Sequence, residues 1–329
     1  VATPASAERF DIIMTAPRLA APAVAVLQRA GCRIHYMQPY PSAAAVADLT
    51  RAVAAHAILS RQGPVDAAAM DASPNLRIVA RHGVGVDDVD IAAATARGIL
   101  VTRAPGSNTG AVAEHTLALI LALAKDLRPL GATIAEGGWR GAAGQVRDLQ
   151  GLRLGLLGFG AIGAAVARLA LAFGMRVTAF DPNATTMDGV DFVPTPADLW
   201  SVSQVLSLHC PYLPATRHIL NTAAIAALPA GAFVINTARG GLIDEPALAA
   251  ALDSGHLAGA ALDVFETEPP APDDPLRRHP RVFVTPHVAG VTPRSLDAMG
   301  TMAAECIASC LTGEVVPPER IVTPRIVSP

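Results

Sequence analysis

His209, Thr237, Arg239, Asp263, Glu268 and His287 are polar residues that each come just after an apolar run, and their types can bind anions or move protons. Arg239 follows the apolar run "FVIN", Glu268 lies five positions past Asp263 at the end of "GAAL", and His287 follows "VFVT". His209 after "VLSL" and Thr237 beside Arg239 complete a polar set, each member just beyond an apolar stretch. In an open parallel sheet, ligands sit outside the carboxyl ends of the strands, so these side chains are expected to converge on one crevice. Side chains of these types can hold an anion or exchange a proton near neutral pH.

A second motif indicates what would lie in that crevice. Gly158, Gly160 and Gly163 form G-x-G-x-x-G in "LGLLGFGAIGAAVARLALAFG", between an apolar strand and an Ala-rich helix. The first glycine permits a tight turn, the second lets backbone N–H groups approach a pyrophosphate, and the third lets helix and strand pack closely. The next strand, "RVTAF", ends in Asp181, placed to accept hydrogen bonds from ribose hydroxyls. A carboxylate there repels a 2′-phosphate, and "PNATT" after it offers no arginine, so NAD is favoured over NADP.

Several of these residues have a second reading. Arg239 has Asp244 and Glu245 as alternative salt-bridge partners, and Glu266 competes with Glu268 for His287. His209, in "LHCP", would otherwise shape a pocket by its backbone alone. His115, in "VAEH", reads as structural, and Trp139 and Arg140, in "GGWR", read as an interface arm or as plain surface.

The elements that must position these groups follow from the pattern. Short apolar runs alternate with Ala-rich amphipathic stretches from residue 11 onward, the rhythm of βα units around a parallel sheet. A first series closes with "GILVTRAP", and a long helix follows in "NTGAVAEHTLALILALAKDL", with Asn108 or Thr109 as its N-cap and apolar positions nearly all round. A second series runs from "LRLGLLGFG" to "RVFVTPH", and the helix "SLDAMGTMAAECIASCLTG" comes after it. At 329 residues two domains are expected, with Gly/Pro-rich joints near 103–108 and 288–293.

Composition narrows the class further. The 51% hydrophobic and 16% charged content is that of a globular chain, and a net charge of −3 without a Lys/Arg-rich run argues against a nucleic-acid partner. Cys32, Cys210, Cys306 and Cys310 lack the spacing of a disulfide framework or zinc site, so no metal is expected and the thiols read as free. Cys306 and Cys310 read as core packing. "HTLALILALA" is too short to span a bilayer and "VATPASAERF" lacks the form of a signal peptide, so no membrane association and a cytoplasmic location are expected.

"GFGAIG", "NTARGGLIDE", "ALDVFETEPP" and "TPHVAG" together resemble the D-isomer-specific 2-hydroxyacid dehydrogenases, the family of phosphoglycerate, glycerate/hydroxypyruvate and D-lactate dehydrogenases. "RHGVGVDDVDIAAATARGILVTRAPGSNT" resembles the family's substrate-domain segment, and the 112–124 helix its dimer helix. The resemblance implies an NAD(H)-dependent hydride transfer between nicotinamide and a small D-2-hydroxy acid or 2-oxo acid, of the glyoxylate/hydroxypyruvate or 3-phosphoglycerate type. It implies that Arg239 binds the carboxylate and carbonyl oxygen, that His287 is the acid/base and that Glu268, which unlike Glu266 fits the D-V-F-x-x-E-P spacing, orients its ring. Asp263 would accept from the nicotinamide amide, and the backbone of Val84 and Gly85 would receive the substrate carboxylate.

The implied cofactor set comprises Gly158, Gly160, Ala161, Ile162, Gly163, Asp181, His209, Cys210, Pro211, Thr216, Thr237, Ala238 and Asp263. The substrate set comprises Arg61, Val84, Gly85, Arg239 and His287. For Arg61 and Arg81 two readings stand, a seat for a distal phosphate or carboxylate and a domain-closing salt bridge.

The expected fold is two doubly wound α/β domains: a flavodoxin-like substrate domain from 1–104 and 291–329, and an inserted Rossmann-like NAD domain over 105–290, with a cleft that closes on ligand. A homodimer through the 112–124 region is expected. The C-terminus leaves no room for the regulatory domain of longer phosphoglycerate dehydrogenases, so serine feedback is not expected. Formate dehydrogenases, relatives with Gln where Glu268 stands, are a poorer match. A phosphite dehydrogenase and an NAD(H)-sensing corepressor-like binding protein remain as alternatives.

Overall fold

The computed structural model describes residues 9–139, 146–183 and 186–324, so Arg140 and part of "PNATT" lie outside the described residues. The chain divides into two compact units, Val1–Asn108 with Val291–Pro329, and Thr109–Gly290.

The first unit alternates β1 (Phe10–Met14), α1 (Ala21–Arg29), β2 (Cys32–Tyr36), α2 (Ala43–Ala52), β3 (Ala57–Ser60), α3 (Ala67–Asp71), β4 (Ile78–Arg81), α4 (Ile91–Ala96) and β5 (Leu100–Thr102). All strand pairs are parallel, in the order β2-β1-β3-β4-β5, which is the flavodoxin-like order. Helices cover both faces of such a sheet, which is why its strands read as continuous apolar runs; Ile12, Ile13, Met14, Ile58 and Leu59 are all fully buried. Short helices start where a side chain takes an orphan N–H: Ser42, Asp66 and Asp90 accept from Ala45, Ala69 and Ala93. The unit's last helix, Pro293–Thr312, begins with a capping box between Thr292 and Ser295 and ends at Gly313 in the left-handed conformation. It returns to the first unit's core, burying Ala303, Ala304, Cys306 and Ile307 among residues of β1, α1 and β4.

The second unit comprises α5 (Thr109–Ala124), α6 (Leu127–Ala135), β6 (Arg153–Leu157), α7 (Ala161–Ala172), β7 (Arg176–Phe180), β8 (Val190–Phe192), α8 (Pro196–Val202), β9 (Val205–Leu208), α9 (Thr222–Ala226), β10 (Ala232–Asn236), α10 (Glu245–Asp253), β11 (Leu257–Leu262), α11 (Pro275–Arg278) and β12 (Val282–Val284). Its parallel order is β12-β11-β10-β9-β6-β7-β8. The chain turns back on itself between β6 and β9, the switch point at which a Rossmann sheet opens its ligand crevice.

Two elements of this unit were not expected from the pattern. The edge strand β8 is three residues long and partly exposed, too short to show alternation. Helix α6 follows α5 after Asp126 and buries none of its residues. Helix α5 itself is packed inside the unit, burying Val112, Ala113, Thr116, Leu117, Leu119 and Ile120 against α7, β10 and β11. The side-chain oxygen of Asn108 is buried without a hydrogen-bond partner, so it does not cap α5.

Candidate active site

Strand β6 delivers the glycine loop and α7 begins at Gly160, with no side chain capping its first turn. Those N–H groups are donors without an intrahelical partner, suited to a pyrophosphate. The three glycines differ in what surrounds them. Gly158 has φ +96°, and a Cβ there would meet the Cys210 backbone nitrogen at 2.5 Å. A Cβ on Gly163 would run into the Gly158 carbonyl, whereas one on Gly160 meets nothing within 4 Å. The loop is therefore closed by its outer glycines and open at the middle one, a shape that fits a dinucleotide.

Asp181 sits just past β7, and its two oxygens accept from the backbone N–H of Phe159 and of Asn183, each at 2.8 Å. The carboxylate is thus tied to the glycine loop with lone pairs left for ribose hydroxyls. His209 packs its backbone against Gly158 and approaches Ser207 Oγ with Nε2 at 2.9 Å. Burial pulls its pKa down to about 4, leaving a neutral ring, and pushes the Cys210 thiol up to about 11. Thr216 donates to the Pro211 carbonyl at 2.8 Å and accepts from the Leu213 N–H at 2.8 Å, closing the loop from Pro211.

Beyond β12, His287 occupies the left-handed region at φ +53°, uncommon for a side chain of its size. Its N–H donates to the Asp263 carbonyl at 2.7 Å, and its Nδ1 lies 2.6 Å from Glu268 Oε2. Glu268 is anchored in turn by the Phe265 N–H at 3.1 Å on Oε1. Burial pushes the Glu268 pKa up, but the bond and charge of His287, the Phe265 N–H and the charge of Arg239 together outweigh it, so the net shift is downward. Glu266 serves a different histidine, His218, at 3.0 Å.

Arg239 follows β10 on a turn closed by Asn236, whose amide nitrogen donates to the Arg239 carbonyl at 2.8 Å and whose oxygen accepts from Ala238 at 3.0 Å. The guanidinium donates to the Ala238 carbonyl at 2.6 Å. Gly240 lets this turn lie on the segment carrying Glu268, since a Cβ there would run into the Phe265 backbone. Asp244 caps α10 and Glu245 accepts from the Glu266 N–H at 2.8 Å.

Asp263 is 1% exposed. It accepts from Thr285 Oγ1 at 2.6 Å, the Val288 N–H at 2.9 Å and the Ala289 N–H at 2.8 Å. It therefore clamps the turn that carries His287. Thr285, His115 and Thr116 also belong to this arrangement and were not singled out as site residues in the sequence. The only signal for Thr285 is its place just past β12, and His115 and Thr116 lie in a helix that reads as packing.

In the first unit, Arg61 lies just past β3 with its backbone N–H on Thr15 Oγ1 at 2.8 Å. Burial lowers its pKa, opposed by Tyr40. Arg81 is a clamp: it donates to the carbonyls of Gly85 at 2.9 Å, Arg61 at 2.7 Å and Ser60 at 3.1 Å, and pairs with Asp88 at 3.1 Å. It fixes the Val84–Gly85 loop from within its own unit. Trp139 is 73% exposed. Cys306 is buried, and Cys310 packs against the same core. No group of metal-ligating side chains occurs among the described residues, and no helix of the described residues is long and apolar enough to cross a membrane.

Comparison with known proteins places this geometry. Residues 117–289 match the model of the D-isomer specific 2-hydroxyacid dehydrogenase, NAD binding domain. The chain is 41% identical over 268 residues to the D-3-phosphoglycerate dehydrogenase of Mycobacterium tuberculosis, covering 80% of this chain and 50% of that protein. The chain thus spans about half the length of the curated relatives it matches. Among solved structures it resembles the TT0316 protein of Thermus thermophilus, with a TM-score of 0.87 and 36% identity over 95% of this chain and 100% of that one. It also resembles an NADPH-dependent glyoxylate/hydroxypyruvate reductase of Sinorhizobium meliloti, with a TM-score of 0.83 and 31% identity over 95% and 97%. With the glycine loop, the switch point and the His–Glu pair in one seven-stranded unit, the chain belongs to the D-isomer specific 2-hydroxyacid dehydrogenase family.

Proposed function

We propose that this protein is an NAD(H)-dependent oxidoreductase that reduces small 2-oxo acids to D-2-hydroxy acids and runs the reverse oxidation. The observation that carries this reading is the 2.6 Å His287–Glu268 pair, with the charge of Arg239 felt at Glu268, in the unit that holds the glycine loop. The bound nicotinamide supplies or accepts the hydride. Arg239 holds the substrate carboxylate and carbonyl oxygen, so that charge building on the oxygen meets a fixed cation. Glu268 holds His287 through Nδ1, leaving Nε2 to give its proton to that oxygen, and to take it back in oxidation. Asp181 receives the adenosine ribose, and the first turn of α7 receives the pyrophosphate.

For the substrate, the phosphoglycerate dehydrogenase relatives and the glyoxylate/hydroxypyruvate reductase bracket the proposal. Four free thiols support a reducing, cytoplasmic setting. A homodimer is supported by the exposed apolar side chains Leu127, Ile134, Trp139 and Val146, on and beyond α6; size-exclusion chromatography with light scattering tests it.

The test of the activity is NADH oxidation against glyoxylate, hydroxypyruvate, pyruvate, phenylpyruvate and 3-phosphohydroxypyruvate. Turnover lost in His287→Ala supports the proposal. Tight NADH binding without turnover of any 2-oxo acid would favour a nucleotide-sensing binding protein.

A further inference from the structure

Helix α5 meets both loops that carry the proposed catalytic groups, and it does so through adjacent residues. His115 Nε2 lies 3.1 Å from Thr285 Oγ1, which donates to Asp263 Oδ1 at 2.6 Å. Thr116 Oγ1 lies 2.9 Å from Thr237 Oγ1, two residues before Arg239. The directions of these bonds follow from counting protons. A threonine hydroxyl has one. That of Thr285 goes to Asp263, so His115 must donate from Nε2, which fixes its tautomer. That of Thr116 goes to the Val112 carbonyl at 2.8 Å, so Thr237 must donate to Thr116.

We propose that His115 is a positioning residue: through Thr285 and Asp263 it sets the turn bearing His287, while Thr116, through Thr237, sets the turn bearing Arg239, so that α5 is their common mount. The Asp263 carboxylate joins the two ends of the first path, since it also takes the N–H groups of Val288 and Ala289 immediately after His287. His115 Nε2 is 3.7 Å from Asp263 Oδ1, beyond hydrogen-bond reach, so its hold on the carboxylate runs through the Thr285 hydroxyl. A helix packed along its length against α7, β10 and β11 is a stiff reference. It can hold two loops to within the fraction of an ångström that proton and hydride transfer require.

This inference rests on the proposed activity for its kinetic readout but has a second readout that does not. His115→Leu is compared with His115→Gln, whose amide can still donate, and with Thr285→Val, which keeps the shape and removes the hydroxyl. The expected result is a kcat lowered roughly 10- to 100-fold in His115→Leu and Thr285→Val, at unchanged NADH affinity, with His115→Gln recovering most of the loss. The double variant His115→Leu/Thr285→Val should be no slower than either single variant, since both break one path. Thr116→Val should raise KM for the 2-oxo acid as well as lower kcat, because Arg239 holds the carboxylate and also meets the charge that builds on the oxygen.

The independent readout is the rate at which diethyl pyrocarbonate modifies His287, resolved by peptide mass spectrometry. It should rise several-fold in His115→Leu and Thr285→Val as the imidazole leaves Glu268, and stay at the wild-type rate in His115→Gln. Wild-type kinetics and wild-type labelling in Thr285→Val would overturn the inference, even if His115→Leu failed to fold. Absence of wild-type turnover would defeat the proposed activity alone, and the labelling rates would still decide the positioning role.

Discussion

His287 and Glu268 meet at 2.6 Å through Nδ1 and Oε2, and Glu268 is itself held by the Phe265 N–H. Because Nδ1 is committed to the carboxylate, ring orientation and the free nitrogen are both fixed before substrate arrives. Replacing Glu268 by Gln keeps the shape and removes the charge. The expected outcome is a kcat for reduction lowered roughly 10- to 100-fold with NADH affinity retained, checked by steady-state kinetics beside fluorescence titration.

The same pair predicts an acid effect on stability. The folded-state pKa of Glu268 lies below its ordinary value of 4.5. Its contribution is therefore present above that value and is lost as pH falls through the folded-state pKa. Because the side chain is 37% exposed, solvent screening keeps the effect small. Urea unfolding of wild type and Glu268→Gln should differ at neutral pH and converge at pH values below the carboxylate range.

In the first unit a buried histidine gives a larger pH effect of its own. Burial, assisted by the charges of Arg61 and Arg81, pulls the His82 pKa from 6.5 to about 4, and the residue is only 6% exposed. The unfolded chain binds the extra proton between these values, so stability is complete above 6.5 and declines as pH falls toward 4. Between pH 7 and 5 the loss should be about 2 kcal/mol. His82→Gln should flatten that slope in urea titrations.

The glycine loop separates folding from binding. A methyl on Gly163 collides with the Gly158 carbonyl, whereas one on Gly160 meets open space. Gly163→Ala should cost on the order of 1–3 kcal/mol of stability. Gly160→Val should leave the melting temperature nearly unchanged and weaken NADH binding at least about tenfold, because it fills the open space proposed to receive the pyrophosphate.

Arg239→Lys keeps the charge but loses the planar fork. The expected result is a KM for the 2-oxo acid raised roughly 100-fold, with NADH affinity unchanged, read from initial rates at saturating NADH.

Most of the two sheets was legible because their strands are buried on both faces and leave uninterrupted apolar runs; only β8, short and at an edge, left no such mark. Glu268 was separable from Glu266 by its spacing, and the structure pairs each with its own histidine. What could not be read was the support behind the site. The tie between His115 and Thr285 joins residues 170 positions apart, and no local pattern records which hydroxyl a helix will meet. Arg81 likewise reads in the sequence as an anion seat or a salt bridge, and the Gly85 and Arg61 carbonyls that take its donors are not marked there by any local pattern.

The central claim is that His287 delivers the proton that accompanies hydride transfer to a 2-oxo acid. The most direct measurement is single-turnover NADH oxidation by wild type and by His287→Ala, with whichever of the five 2-oxo acids the wild type reduces. The account predicts hydride transfer slowed roughly 10²- to 10⁴-fold in the variant while NADH binds as before. A variant that oxidised NADH at the wild-type rate would contradict it.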